Sequence, residues 1–118
     1  MINYEATVFI EQQLPEAHIL EKSGRLSFDV YKTITCLTGF LRRRLQENDL
    51  AMVKKSLDVA EYLYREGDGE LRTAIENILV FSFSGMMTPE PRKRKEFKSL
   101  IPRTLFVLYL QQITHSDC

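Results

Sequence analysis

Residues 71–87 constrain the fold of this chain more than any other segment. Wound as a helix, they carry apolar side chains in nearly every direction, and beyond Arg72 the only strongly polar residues are Glu76 and Asn77. A helix of this kind must be buried on several sides. We expect it at the centre of a domain, with its polar residues either paired in the interior or marking a strip open to water. Asn77 has two alternatives: a buried residue would fix the register of the bundle through hydrogen bonds, and an exposed one would belong to a strip that contacts a ligand or partner. The buried role is favoured, since buried polar groups usually hydrogen bond to their neighbours.

The composition is that of an ordinary globular domain. The chain has 118 residues, of which 44% are hydrophobic and 27% charged, and sixteen basic residues balance sixteen acidic ones. This length is enough for a single domain over residues 1–118 whose core needs neither disulfides nor metal. A net charge of zero gives no overall attraction to nucleic acid or to an anionic membrane.

No segment has the composition of a secretory signal or a membrane span. The first twenty residues contain three glutamates and no basic stretch, unlike a secretory signal. The longest apolar run covers residues 105–110, far below the roughly 20 residues that cross a bilayer. Cys36 lies in a predicted helix and Cys118 ends the chain, so the two form no disulfide framework. We therefore expect a cytoplasmic protein without a membrane partner.

Hydrophobic periodicity predicts an all-α fold. Apolar side chains recur three and four residues apart along most of the chain, which is the spacing of one helical face. The first predicted helix ends near Leu14, the second covers residues 27–46, and the third runs from Asn48 or Asp49 to Gly67. The fourth runs from Asp68 to residues 85–88, the fifth begins near residues 88–91 and breaks at Pro102, and the sixth covers residues 105–113. For the last segment a strand is an alternative, because its aromatic and β-branched residues suit either form. Short connections predict a compact bundle of about five to six helices with the apolar helix at its centre.

Residues 66–69 predict a tight turn between the third and fourth helices. Gly67 is expected to adopt the left-handed conformation that commonly closes a helix. Asp68 is a suitable N-cap for the helix that follows, since its short side chain can accept a hydrogen bond from the first turn.

Charge is arranged in blocks although the total is zero. Residues 46–78 hold eight acidic residues against four basic ones, so the third helix and the turn after it form an acidic region. Exposed tyrosines are enriched in protein interfaces, and this helix carries them beside its carboxylates. The candidate protein-binding surface, called here the acidic surface, consists of Asp58, Glu61, Tyr62 and Glu66.

Two basic clusters oppose the acidic region. Residues 42–44 are three arginines in the last turns of the second helix, where cations complement the helix dipole and need no further function. The second cluster lies near a helix N-terminus, where the dipole disfavours positive charge, so a phosphate, a nucleic-acid backbone or an acidic protein would explain it. The alternative is a solvated face, or one paired with the acidic helix. This basic surface consists of Arg92, Lys93, Arg94, Lys95 and Lys98.

Nucleic-acid binding is the second functional hypothesis. The basic surface could neutralise several phosphates, but Phe97 is the only aromatic among its residues and is expected to point into the core, which leaves no platform for stacking bases. The hypothesis predicts an affinity that falls steeply with salt.

The sequence offers no pattern of residues that would support catalysis or a cofactor. Its two histidines, His18 and His115, lie in a connecting region and in the C-terminal tail, and Cys36 has no histidine near it in sequence. The chain has no Cys-x-x-Cys pair, no phosphate-binding glycine loop and no Glu-x-x-His pair. We expect a protein that is not an enzyme and has no cofactor and no metal.

Four short segments carry a family resemblance. They are residues 56–63, residues 67–71, residues 74–78 and the Phe81-Ser82-Phe83 triplet. Together they resemble short uncharacterised bacterial proteins grouped as domains of unknown function, in which a helix ending in a Gly-Asp turn precedes an apolar helix with an Asn and a Ser-Phe pair. The resemblance implies an all-helical fold, and some such proteins are similar to immunity proteins that neutralise a partner toxin. It assigns no functional residue.

The function these observations favour is a protein-interaction module that acts through contact with another protein or with a second copy of itself. Nucleic-acid binding through the basic surface is the alternative.

Overall fold

The computed structural model describes residues 3–18 and 29–115, and these form a bundle of six helices. The helices are α1 (Asn3–Gln13), α2 (Val30–Gln46), α3 (Leu50–Glu66), α4, α5 (Pro91–Leu100) and α6 (Arg103–His115). Helix α4 is composite: it is α-helical over Gly69–Ala74, π-helical over Ile75–Val80 and α-helical again over Phe83–Met86. The all-α prediction is confirmed, and the last segment is a helix and not a strand. The predicted start of α2 at residues 27 and 28, like Cys118, lies outside the described residues.

The turn between α2 and α3 has a standard geometry for closing a helix. Asn48 is left-handed with φ 59°, and its N–H donates to the Leu45 carbonyl at 3.0 Å while that of Asp49 donates to the Arg44 carbonyl at 2.9 Å. These two bonds define a Schellman motif. The Asp49 carboxylate then accepts from the Met52 N–H at 3.3 Å and caps α3. Of the two predicted caps, Asp49 is therefore the one used.

The turn between α3 and α4 corrects one prediction. Gly67 has φ −78° and ψ 162°, so it is extended and the left-handed conformation predicted for it was wrong. The chain leaves α3 directly into the extended Asp68, whose carboxylate caps α4 by accepting from the Leu71 N–H at 2.9 Å. Glycine is needed at position 67 for a different reason. A Cβ atom there would lie 2.5 Å from the Leu63 carbonyl oxygen and 2.7 Å from the Leu71 side chain.

The centre of the bundle is shared by α2 and α4. Helix α2 packs against α1, α3 and α4, and helix α4 packs against α2, α3 and α6. Phe83 of α4 is fully buried. Its ring makes T-shaped contacts with the rings of Phe97 from α5 and Tyr109 from α6, with centroids 5.7 Å and 6.0 Å apart. The prediction that Phe97 points into the core is confirmed. No helix in the described part of the chain is both long and apolar enough to cross a bilayer.

Candidate functional site

Helix α4 contains a π-helical segment at Ile75–Val80. The Phe81 N–H donates to the Glu76 carbonyl five residues earlier, at 3.2 Å, instead of the carbonyl four residues earlier that an α-helix would use. A π turn holds more residues than an α turn, so it changes the direction in which every later side chain points. Such segments are rare and occur frequently at functional sites.

The π-helical segment explains how α4 buries apolar residues on what would be opposite faces. Val80 follows Leu71 by nine residues, which in an unbroken α-helix is about two and a half turns and would place it on the far side. Both side chains are nevertheless fully buried, as is Phe83. The residue left outside is Phe81, whose side chain is 72% exposed.

Polar contacts from two neighbouring helices hold the π-helical segment. The side-chain amide of Gln112 on α6 donates to the Glu76 carbonyl at 2.8 Å, the same oxygen that accepts from Phe81. The hydroxyl of Tyr64 on α3 donates to the Glu76 carboxylate at 3.1 Å. Glu76 is thus half-buried and paired. Of the two alternatives predicted for the polar residues of this helix, pairing in the interior and a strip open to water, Glu76 follows the first. Asn77 is exposed, so the buried register role favoured for it was wrong, because its side chain faces solvent at the π turn.

The Tyr64 hydroxyl stays protonated well above neutral pH. Burial raises the pKa of Tyr64, and the Glu76 carboxylate that accepts its hydrogen bond raises the pKa further. The nearby Arg72 guanidinium lowers it. Arg72 lies 5.7 Å from the centre of the Tyr64 ring and donates to the Tyr64 carbonyl at 3.0 Å. Its guanidinium therefore satisfies a carbonyl at the end of α3 that has no partner within the helix. These contacts hold α3 against α4, so their role is structural.

Two hollows lie along the seam between α4 and α6, and Gln112 lines both. The first, of about 290 Å³, is lined by Glu76, Asn77, Leu108, Gln111 and Gln112. The second, of about 270 Å³, is lined by Phe81, Ser84, Gly85, Gln112 and Ile113. The seam is thus concave on both sides of the side chain that holds the π-helical segment.

Helix α6 carries exposed apolar side chains both at the second hollow and elsewhere along its length. Val107, Leu110 and Ile113 lie on successive turns and are 43%, 41% and 38% exposed. Residues 104–114 carry no charged side chain, although 27% of the whole chain is charged. We call Phe81 and Ile113, which line the same hollow, the Phe81 face. Exposed apolar patches on soluble domains mark interaction sites more often than the rest of the surface does.

The structure divides the predicted acidic surface. Asp58, Tyr62 and Glu66 are exposed and lie four residues apart on one face of α3. Asp58 pairs with Lys54 at 2.8 Å. The Tyr62 ring, 43% exposed, stacks on Phe9 of α1 with centroids 4.5 Å apart.

Glu61 does not belong to that exposed face. It is half-buried, and its carboxylate accepts from the Leu105 N–H at 3.3 Å. Leu105 is the third residue of α6, so its N–H has no acceptor within the helix. Glu61 therefore caps α6 from another helix, which is a structural role in place of the predicted contact role.

The predicted basic surface is solvent-exposed on α5, apart from the half-buried Arg94. Arg92 pairs with Glu96 at 3.5 Å and Lys93 with Glu90 at 3.9 Å. Arg94 donates a hydrogen bond to the Thr88 carbonyl at 3.4 Å. Lys95 and Lys98 have no ion-pair partner among the described residues. Phe97 is 1% exposed, so the cluster presents no aromatic ring to solvent.

Residues 42–44 lie in the last turns of α2, as predicted. Arg44 pairs with Glu47 at 3.0 Å and lies 5.2 Å from the centre of the Phe40 ring. Arg42 and Arg43 are exposed. Within the described ranges no three His, Cys, Asp or Glu side chains are placed to hold a metal ion.

Sequence reasoning missed Phe81 and Gln112. Phe81 was treated only as part of the apolar run 71–87 and of the family resemblance, and Gln112 was not singled out at all. The signal that could have found Phe81 is the apolar character of residues 71–87 on all sides, because the neighbouring helices of a small bundle cannot cover every direction. Nothing in the sequence alone indicates that Gln112 reaches a carbonyl 36 residues away.

No curated protein and no solved structure matches this chain. A family described as a domain of unknown function (DUF7674) matches residues 9–115, from the middle of α1 to the end of α6. This match covers nine-tenths of the chain and includes the π-helical segment and the Phe81 face. The chain therefore belongs to the DUF7674 family of domains of unknown function.

Proposed function

We propose that this protein is a non-catalytic protein-binding domain and that the Phe81 face is its contact surface. The observation that carries the proposal is the 72% exposure of Phe81 on a helix whose π-helical segment is held by Gln112 and Tyr64. Aromatic residues are enriched at the centres of protein interfaces. A partner that covers Phe81 would recover much of the roughly 1.5–3 kcal/mol that full burial of a phenylalanine side chain contributes.

The partner that fits this face is an apolar side of a helix from another protein. The seam between α4 and α6 offers two neighbouring hollows that share Gln112, and a groove of this kind suits the apolar side chains of an amphipathic helix. Residues 104–114 carry no charged side chain. The one charged residue that lines the hollows, Glu76, already accepts a hydrogen bond from Tyr64, so such a helix would bury no charge that lacks a partner. An immunity-type role, in which the domain neutralises a partner by covering its surface, is one form of this proposal.

Site-specific photo-crosslinking tests the proposal. A benzophenone amino acid is placed at Phe81 in the cells that make the protein, with Tyr31 as control, an aromatic residue on α2 that is 41% exposed. We expect a protein to be captured from position 81 and not from position 31. The captured protein, once purified, should bind about tenfold or more weakly to Phe81→Ala and with unchanged affinity to Tyr31→Ala.

Three results would contradict the proposal. The first is capture of no protein from position 81. The second is capture of only a second copy of this chain, which would make the face an assembly contact. The third is equal capture of the same protein from position 31, which would show that the contact does not depend on the Phe81 face.

A further inference from the structure

The two basic clusters, far apart in the sequence, each contribute one cation to the same groove. This groove, of about 230 Å³, lies between the end of α2, the end of α4 and the start of α5. Arg42 and Lys93 line it together with the apolar side chains of Leu45 and Met86. Neither cluster alone predicts this arrangement, because it depends on the packing of α5 beside α2.

The positive charge in this groove is available to a ligand. Arg42 is exposed and makes no hydrogen bond or ion pair with any residue that the structure describes. Among the residues that the structure describes, Lys93 pairs only with Glu90, at 3.9 Å, and both side chains are more than half exposed. Exposed pairs of this kind contribute about 0–1 kcal/mol, so Lys93 can exchange its partner at little cost.

Gly85 joins this groove to the Phe81 face. It lines both the groove with Arg42 and Lys93 and the hollow with Phe81 and Ile113. A Cβ atom at Gly85 would meet nothing within 4 Å, so the space directly beside Gly85 is open. A segment that passes over Gly85 would therefore border both the groove with the two cations and the hollow with Phe81.

We propose that the partner segment bound at the Phe81 face is acidic at one end, with apolar side chains against Phe81 and Ile113 and carboxylates paired with Arg42 and Lys93. This inference rests on the proposed function and adds the chemistry of the partner. The groove favours a peptide over a nucleic acid, because Leu45 and Met86 offer contacts to aliphatic side chains and, among the described residues, no aromatic side chain lines the groove itself for a base to stack on.

A random library of 16-residue peptides displayed on phage tests the inference. Selection is run in parallel on the wild-type protein, on Phe81→Ala, on the double variant Arg42→Gln/Lys93→Gln and on a matched control, Arg43→Gln/Lys95→Gln. The control removes two exposed charges from the same two clusters, at positions that do not line the groove. All four proteins should have the same thermal midpoint, since every substituted side chain is exposed.

We expect peptides that depend on Phe81 to be enriched in Asp and Glu toward one end. Their affinity for Arg42→Gln/Lys93→Gln should be about tenfold lower than for wild type at low salt, and their affinity for the control unchanged. Peptides that depend on Phe81 but carry no acidic bias would overturn this inference and leave the proposed function standing. An absence of any Phe81-dependent peptide would overturn both. Binding of a 20-nucleotide RNA that is lost in Arg42→Gln/Lys93→Gln alone would assign the groove to nucleic acid and also overturn the inference.

Discussion

Phe83→Ala is expected to lower the free energy of unfolding by about 3–5 kcal/mol, whereas Phe81→Ala should change it by less than about 0.5 kcal/mol. The two phenylalanines are two residues apart on the same helix. Phe83 is fully buried and meets two aromatic rings, from α5 and α6, so its removal leaves a cavity. Phe81 is 72% exposed, and its removal leaves none.

Chemical denaturation of the two variants measures this difference. The chemical change is the same and the two positions are close in sequence, so effects on the unfolded chain are matched. The difference between the two free energies of unfolding therefore reports on the folded structure. Similar losses from both substitutions, or a larger loss from Phe81→Ala, would mean that α4 does not change direction at the π-helical segment.

Gly67→Ala is expected to lower the free energy of unfolding by about 3 kcal/mol, the upper end of the usual range for overpacking. The added Cβ would lie 2.5 Å from the Leu63 carbonyl oxygen, and a backbone atom cannot turn away as a side chain can. The end of α3 or the start of α4 must therefore move, which would also disturb the Asp68 cap.

Gly69→Ala is the matched control for this prediction. Gly69 is the first residue of α4, and a Cβ there meets nothing within 4 Å. We expect no loss, or a gain of up to about 1 kcal/mol from the reduced freedom of the unfolded chain. Thermal unfolding of both variants provides the comparison. A gain in stability from Gly67→Ala would show that the close approach to Leu63 does not exist.

The parts of the fold that depend on local sequence could be predicted. Asp49 and Asp68 cap helices because short acidic side chains reach the first turn, and Pro102 separates α5 from α6 because it cannot continue a helix. These signals lie within a few residues of the structure they determine. The same local reasoning gave the wrong conformation for Gly67, because its requirement for glycine comes from the Leu63 carbonyl and not from its own backbone angles.

The candidate site could not be predicted, because it depends on contacts between distant residues. The π-helical segment is held by Gln112 and Tyr64, which come from two other helices. Glu61 looked like a surface carboxylate until α6 was placed beside it. Arg42 and Lys93 similarly come together only when α2 and α5 pack. Periodicity describes which face of one helix is apolar, but it does not specify which neighbour covers that face.

The exposure of Phe81 is the central claim, and fluorescence quenching of Phe81→Trp tests it most directly. The chain has no tryptophan, so the single indole reports on this position alone. We expect acrylamide to quench its emission almost as efficiently in the folded protein as after unfolding in denaturant, with an emission maximum close to that of the unfolded chain. A folded variant with strongly protected, blue-shifted emission would place residue 81 in the core and contradict the account.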